Sequence, residues 1–167
     1  FSEADMASWM ERLKNYLGRR PKDEFYCELK IDGLAIELVY EDGILIQGST
    51  RGDGEMGEEV TQNLRTVEAI PLSLQIQKNT KSPALVTKIS KKLVIRGEVF
   101  LTKKEFARIN RELEPRGQKT YANPRNLAAG TIRQLDSKIT SGRKLDSFQY
   151  AVVTDLGQKK HNEEHEI

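Results

Sequence analysis

The stretch Cys27–Leu38, CELKIDGLAIEL, alternates apolar and ionisable residues and then meets a glycine before a second apolar run. In an extended strand successive side chains point to opposite faces. Tyr26, Glu28, Lys30 and Asp32 would then share one face, and Cys27, Leu29 and Ile31 the other. An ordinary half-exposed strand with a charged outer face fits this pattern as well as a reactive one does. The rest of the chain has to decide between them.

Phe25–Ile31, Leu34–Tyr40 and Ile44–Arg51 are three β-prone runs, the last two joined through Glu41, Asp42 and Gly43, a hairpin signal. The run LVIRGEVFL repeats the opening pattern: Leu93, Ile95, Val99 and Leu101 alternate with Val94, Arg96, Glu98 and Phe100. Phe148–Val153 reads as a final strand. Helical spacing of Ala4, Trp9, Leu13 and Leu17 predicts a first helix that Gly18 and Pro21 close. A short helix is expected from about Glu58 to Val67, another over Lys103–Leu113, and a third that Asn123 caps, with Pro124 in its first turn, running to about Leu135. Gln75–Lys92 is rich in lysine with weak periodicity and reads as an extended, solvated hairpin or loop. There is no internal repeat and no composition shift, so 1–167 is one domain of α+β class, with a mostly antiparallel sheet and flanking helices.

At 167 residues, 37% hydrophobic and 31% charged, the chain can bury a sizeable core and reads as a soluble globular protein. Its apolar runs fall far short of the roughly 20 residues a membrane span needs, and nothing resembles a signal peptide, so the cytoplasm is the expected compartment and no membrane partner is expected. The single cysteine, Cys27, cannot form an intrachain disulfide and is expected to be a small core residue. A net charge of +2 neither demands nor excludes nucleic acid. A chain that starts on Phe1 rather than methionine reads as a processed or excised piece.

Gly52, Gly54 and Gly57 satisfy G-x-G-x-x-G, but Asp53, Glu55, Glu58 and Glu59 would crowd negative charge where a pyrophosphate must sit. The preceding strand also belongs to an antiparallel hairpin, not a βαβ unit. Arg51, Gly52 and Asp53 form a tripeptide too short to carry meaning. HNEEH, His161–His165, fits a zinc-protease pattern, yet no apolar run flanks it and no third ligand stands out, so zinc is set aside.

The order of four blocks changes the reading of the opening stretch: KIDG (Lys30–Gly33), TRGDGEMGEEVTQN (Thr50–Asn63), RGEVFL (Arg96–Leu101) and YANPRNLAAGTIRQLD (Tyr121–Asp136). KIDG resembles the K-x-D-G signature of the covalent nucleotidyltransferases, which include DNA ligases, RNA ligases and messenger-RNA capping enzymes. Together the four resemble the adenylation domain of bacterial NAD-dependent DNA ligases over nearly the whole chain, with Gln75–Lys92 the weakest stretch. The resemblance implies a partial nucleotidyltransferase fold of the ligase adenylation type, related in style to ATP-grasp. It implies Lys30 as the nucleophile that takes AMP from NAD, with Mg²⁺ as cofactor, nicked double-stranded DNA as partner and a monomeric protein.

Such a lysine must be neutral to attack phosphorus, so it needs desolvation and nearby cations. Arg51, Arg125 and Arg133 would supply them and grip phosphate oxygens. Asp32 would orient Lys30 or, with Glu98, hold Mg²⁺ through water. By the same resemblance Glu28 and the backbone of Leu29 read adenine, Arg51 and Glu98 meet the ribose and the metal-water shell, Tyr150 lies beside adenine, and Arg125 and Arg133 lie near the phosphates and the nick. A polar face of the sheet carrying Glu28, Lys30, Asp32, Arg96 and Glu98 is expected. The family pattern further implies a D-G-V-V-I-K-V motif and a second lysine beyond Ile167. It also implies a small nicotinamide mononucleotide domain before Phe1, and OB-fold, zinc-finger, helix-hairpin-helix and BRCT domains outside this chain. An ATP- or GTP-dependent nucleotidyltransferase and a non-catalytic nucleic-acid-binding fragment are the alternatives.

Overall fold

In a computed structural model of the protein, residues 2–21, 25, 27–52, 56–74 and 91–153 are described. Four strands, β1 (Leu34–Glu41), β2 (Ile44–Thr50), β3 (Lys92–Phe100) and β4 (Asp146–Val152), form one sheet in the order β2-β1-β3-β4, with every neighbouring pair antiparallel. The β1–β2 turn places Asp42 at φ 48° and Gly43 at φ 77°, the left-handed pair that a tight hairpin requires.

Side chains alternate as the period of a strand dictates. Ile36, Leu38 and Tyr40 of β1, Leu45 of β2 and Leu93 and Val99 of β3 are buried on one face. Helices cover that face: α2 (Thr61–Leu64), α3 (Lys103–Leu113), α4 (Pro124–Ile132) and α5 (Ser137–Ser141). They contribute Leu64, Ile109, Leu127, Ala128 and Ile132 to the same core. Tyr40 is fully buried, and its hydroxyl donates to Pro71 O at 2.8 Å. Burial pushes that phenol up to about 12. On the opposite face β1 and β3 present Glu37, Arg96 and Glu98, with Glu37 opposite Arg96 and Ala35 opposite Glu98. One packed face and one polar face is the usual economy of an antiparallel sheet.

The first helix, α1 (Glu3–Leu17), starts on a capping box between Ser2 and Asp5 and ends on Gly18 at φ 64°. It contributes no buried residue to the core; Trp9 instead meets the Phe25 ring edge-on, 5.2 Å between centroids. No helix among the described residues is long and apolar enough to cross a membrane.

Four expectations are corrected. The predicted strand Phe25–Ile31 does not form: its described residues carry no strand pairing, Leu29 is 71% exposed, and Cys27 is exposed instead of buried in the core. Ile31 N–H closes a tight turn onto Leu29 O, and Gly33 N–H is bonded to the Glu98 carboxylate, so these backbone donors are spent outside any strand ladder. The helix expected from Glu58 to Val67 shrinks to Thr61–Leu64. Glu58 O accepts from Thr50 N–H, Glu58 N–H donates to Thr50 Oγ1, and Glu59 bridges Ser49, so both are held extended against β2. The helix expected to reach Leu135 stops at Ile132, where Arg133 leaves helical geometry. Lys92 begins β3, while 75–90 and the His161–His165 motif lie outside the described residues.

Candidate active site

A single glycine brings the KIDG segment against the sheet. A Cβ on Gly33 would stand 2.2 Å from Val99 O and 2.9 Å from Phe100 Cβ, so no larger residue fits where the chain meets the end of β3. At this contact the Gly33 N–H donates to Glu98 Oε1 at 3.1 Å. Upstream the backbone makes a tight turn, Ile31 N–H to Leu29 O at 3.1 Å, and Glu28, Lys30 and Asp32 are all exposed. The desolvated setting expected of Lys30 is therefore not built by the described residues, because no element among them covers the polar face of the sheet.

On that face Arg96 Nε bonds Glu37 Oε2 at 3.2 Å, across the β1–β3 register. Tyr150 lies where β4 bulges between Gln149 and Ala151 opposite the Arg96–Gly97 step. Its phenol is pushed up from its ordinary value, first by burial and then by Glu98, with Glu28 adding to the rise and Arg51 and Arg96 opposing it. Five of the residues singled out from sequence, Glu28, Arg51, Arg96, Glu98 and Tyr150, thus share one electrostatic neighbourhood.

Arg51 leaves β2 with its N–H bonded to Ala35 O at 2.9 Å. Gly52 and Gly57 each make a close backbone approach. A Cβ on Gly52, at φ 57°, would stand 1.7 Å from Met56 O, and one on Gly57 would stand 1.8 Å from Thr50 O. Both close approaches lie beside a strand that pairs antiparallel with β1.

The two remaining arginines sit at opposite ends of α4. Asn123 caps the helix, its Oδ1 accepting from Asn126 N–H at 2.8 Å with Pro124 in the first turn. Arg125 in that turn bonds Asp32 Oδ1 at 2.9 Å. Arg133, at the other end, pairs with Glu58. Eight residues of helix separate the two arginines by about 12 Å along the axis, so α4 spaces them instead of clustering them. Asn63 anchors the Arg133 end: its buried amide donates to Ile132 O at 2.6 Å and Gln134 O at 2.7 Å.

Sequence reasoning missed the Gly33–Glu98 bond, the Asp32–Arg125 pair and the Asn63 anchor. Each spans 65 or more positions, and no local pattern announces it. A separate open depression against α3, lined by Glu68, Lys104, Glu105, Arg108 and Lys144 among others, shares no residue with this face. Within it Arg108 holds the buried Glu105 carboxyl below its ordinary range by hydrogen bonding.

The polar face offers carboxylates to accept from sugar hydroxyls, guanidinium groups for phosphate oxygens and a phenol ring for a base to lie against. Among the described residues no three His, Cys, Asp or Glu side chains gather as a ligand set. A divalent cation here would rest on one or two carboxylates and water, which suits Mg²⁺ and argues against a closed all-protein cage.

The family of NAD-dependent DNA ligase adenylation domains matches residues 1–166. Proteins named DNA ligase from Gloeobacter violaceus, Citrifermentans bemidjiense and Symbiobacterium thermophilum are 51%, 50% and 48% identical to the chain over 150, 153 and 153 residues. These alignments cover 90%, 90% and 92% of this chain and 21% of each relative, so the chain spans about a fifth of their length.

Proposed function

Because the chain belongs to the family of NAD-dependent DNA ligase adenylation domains, we propose that it is the adenylate-forming part of a larger ligase and that Lys30 is its nucleophile. The Lys30 amine attacks the α-phosphorus of NAD. A P–N bond forms, the bond from that phosphorus to the bridging oxygen breaks, nicotinamide mononucleotide leaves, and the amine gives up a proton. The P–N bond then breaks as AMP passes from Lys30 to the 5′-phosphate of nicked double-stranded DNA, and the neighbouring 3′-hydroxyl attacks that 5′-phosphorus, losing its proton and releasing AMP as the strand is sealed.

The observation that carries this reading is the contact at Gly33, which seats the KIDG segment against the face where Glu98, Arg51, Arg96 and Tyr150 gather. Tyr150 and Glu28 flank the adenine, and Arg51 and Glu98 meet the ribose. Arg125 and Arg133, spaced along α4, serve the phosphates and the nick. Asp32 and Glu98 would hold Mg²⁺ through water, where the ion offsets phosphate charge when bound. In this reading the sheet and its helices are the first part of a nucleotidyltransferase fold, with the nicotinamide mononucleotide module and the remaining domains in the rest of the ligase.

The test is a labelled-cofactor assay on the full-length protein, supplied separately with NAD and with ATP. Release of nicotinamide mononucleotide with label retained on the protein supports the proposal. Label retained only from ATP, with release of pyrophosphate, would favour the ATP-dependent class of enzyme instead.

A further inference from the structure

We infer that Glu98 is a positioning residue for the nucleophile, acting through the backbone N–H of Gly33. This rests on the reading of Lys30 as the attacking group, three residues upstream. The backbone between Cys27 and Asp32 joins no strand ladder, so its placement over the sheet depends on a few tethers. One is the Asp32–Arg125 pair, whose partners are 71% and 60% exposed, a setting in which ion pairs hold weakly. The other is the part-buried bond from Gly33 N–H to Glu98 Oε1, a charge-assisted bond of the stronger kind.

Glu98 is well suited to hold it. Its own backbone is fixed from both sides, registered against Ala35 of β1 and Phe148 of β4, so the carboxylate reaches Gly33 from a rigid base. The glycine supplies the other half of the device, since only a residue without Cβ brings its N–H this close to β3. One carboxylate oxygen, Oε1, is committed to the backbone, and in this proposal the second serves the ligand. Binding a sugar or hydrated cation at Glu98 is thereby linked to where Lys30 stands.

Substitution at Glu98 separates this role from a charge-only role. Glutamine keeps a carbonyl oxygen that accepts from Gly33 but carries no charge for a metal-water shell, whereas alanine offers neither. In the full-length protein, Glu98→Ala should lower kcat for self-adenylation by about 10- to 100-fold, as misplacement of a reacting group does, with a smaller change in KM for NAD. Glu98→Gln should recover only part of that rate, because it keeps an acceptor for Gly33 but not the charge that the functional reading gives Glu98 in the metal-water shell. Hydrogen–deuterium exchange of the peptide containing Gly33 gives a readout independent of activity: exchange should quicken in the alanine variant and stay slow in the glutamine variant. Should the alanine variant fail to fold, Glu98→Asp, with its shorter reach, should show the same paired loss of rate and of Gly33 protection. The proposal is overturned if glutamine is as slow as alanine while Gly33 stays protected, or if Gly33 exchange is the same in all variants. If the wild-type protein carried AMP elsewhere than on Lys30, the functional reading would fall, and the exchange measurement would still decide whether Glu98 holds Gly33.

Discussion

Arg125 reaches from the first turn of α4 to Asp32, 93 positions away, with Nη1 2.9 Å from Oδ1, and so joins the helix of the YANPRN block to the KIDG segment. Both side chains are largely exposed, so the pair adds less than about 1 kcal/mol to stability. Its value lies in orientation. Arg125→Lys should leave the melting temperature nearly unchanged while lowering sealing of a nicked duplex by about tenfold or more, because an ammonium keeps the charge without the planar fork. Thermal melting and a sealing assay on the same preparation check both halves.

Gly33→Ala places a methyl group 2.2 Å from a backbone oxygen, a contact that only a shift of the chain can relieve. A loss of about 1–3 kcal/mol in stability is expected, together with loss of self-adenylation. Chemical denaturation measures the first effect. An alanine variant as stable and active as the parent would show that the close approach to β3 is not what seats the segment.

Asn63→Ala leaves Ile132 O and Gln134 O without their buried donor, at a cost of about 1–3 kcal/mol. The end of α4 that carries Arg133 should loosen with it. Denaturant midpoints should fall for this variant, and fall further for Asn63→Asp, whose carboxylate would face two carbonyl oxygens.

Tyr40 should contribute to the loss of stability at alkaline pH. The folded phenol is pushed up to about 12 from an ordinary value of 10.0, so the folded state holds this proton more tightly than the unfolded chain does. The contribution is complete below pH 10.0 and is lost as pH rises toward about 12, to a total on the order of 2–3 kcal/mol. Tyr40→Phe forfeits the bond to Pro71 O but should flatten the fall in unfolding free energy across that window. A Phe variant with the same alkaline slope as the parent would contradict the assignment.

The local signals in the sequence were read well because their physics is local. Asn123 followed by Pro124 marks the start of α4, Asp42–Gly43 marks the β1–β2 turn, and the alternation in Leu93–Leu101 sorts Arg96 and Glu98 from Leu93 and Val99. Alternation fails at Phe25–Ile31. It tells which side chains would share a face, not whether the backbone joins a ladder; here Ile31 N–H closes a tight turn onto Leu29 O and Gly33 N–H goes to the Glu98 carboxylate. Glu58 and Glu59 have the composition of a helix start, but backbone bonds to β2 claim them first. The polar residues of the site could be named from their blocks. Which of them touch could not, since Asp32–Arg125, Arg133–Glu58 and Gly33–Glu98 are made only when the helix layer and the sheet come together.

The central claim is that Lys30 carries the adenylate, and intact mass of the full-length protein after incubation with NAD and Mg²⁺ tests it most directly. The wild-type protein should gain a single adenylyl group. Lys30→Arg should gain none while folding normally, because a guanidinium keeps the positive charge but offers no free lone pair at neutral pH. Substitutions at Lys14 and Lys92, on exposed surface, should leave the gain intact. A Lys30→Arg protein that still gained one adenylyl group would contradict the account, and the KIDG segment would then serve some purpose other than holding the nucleophile.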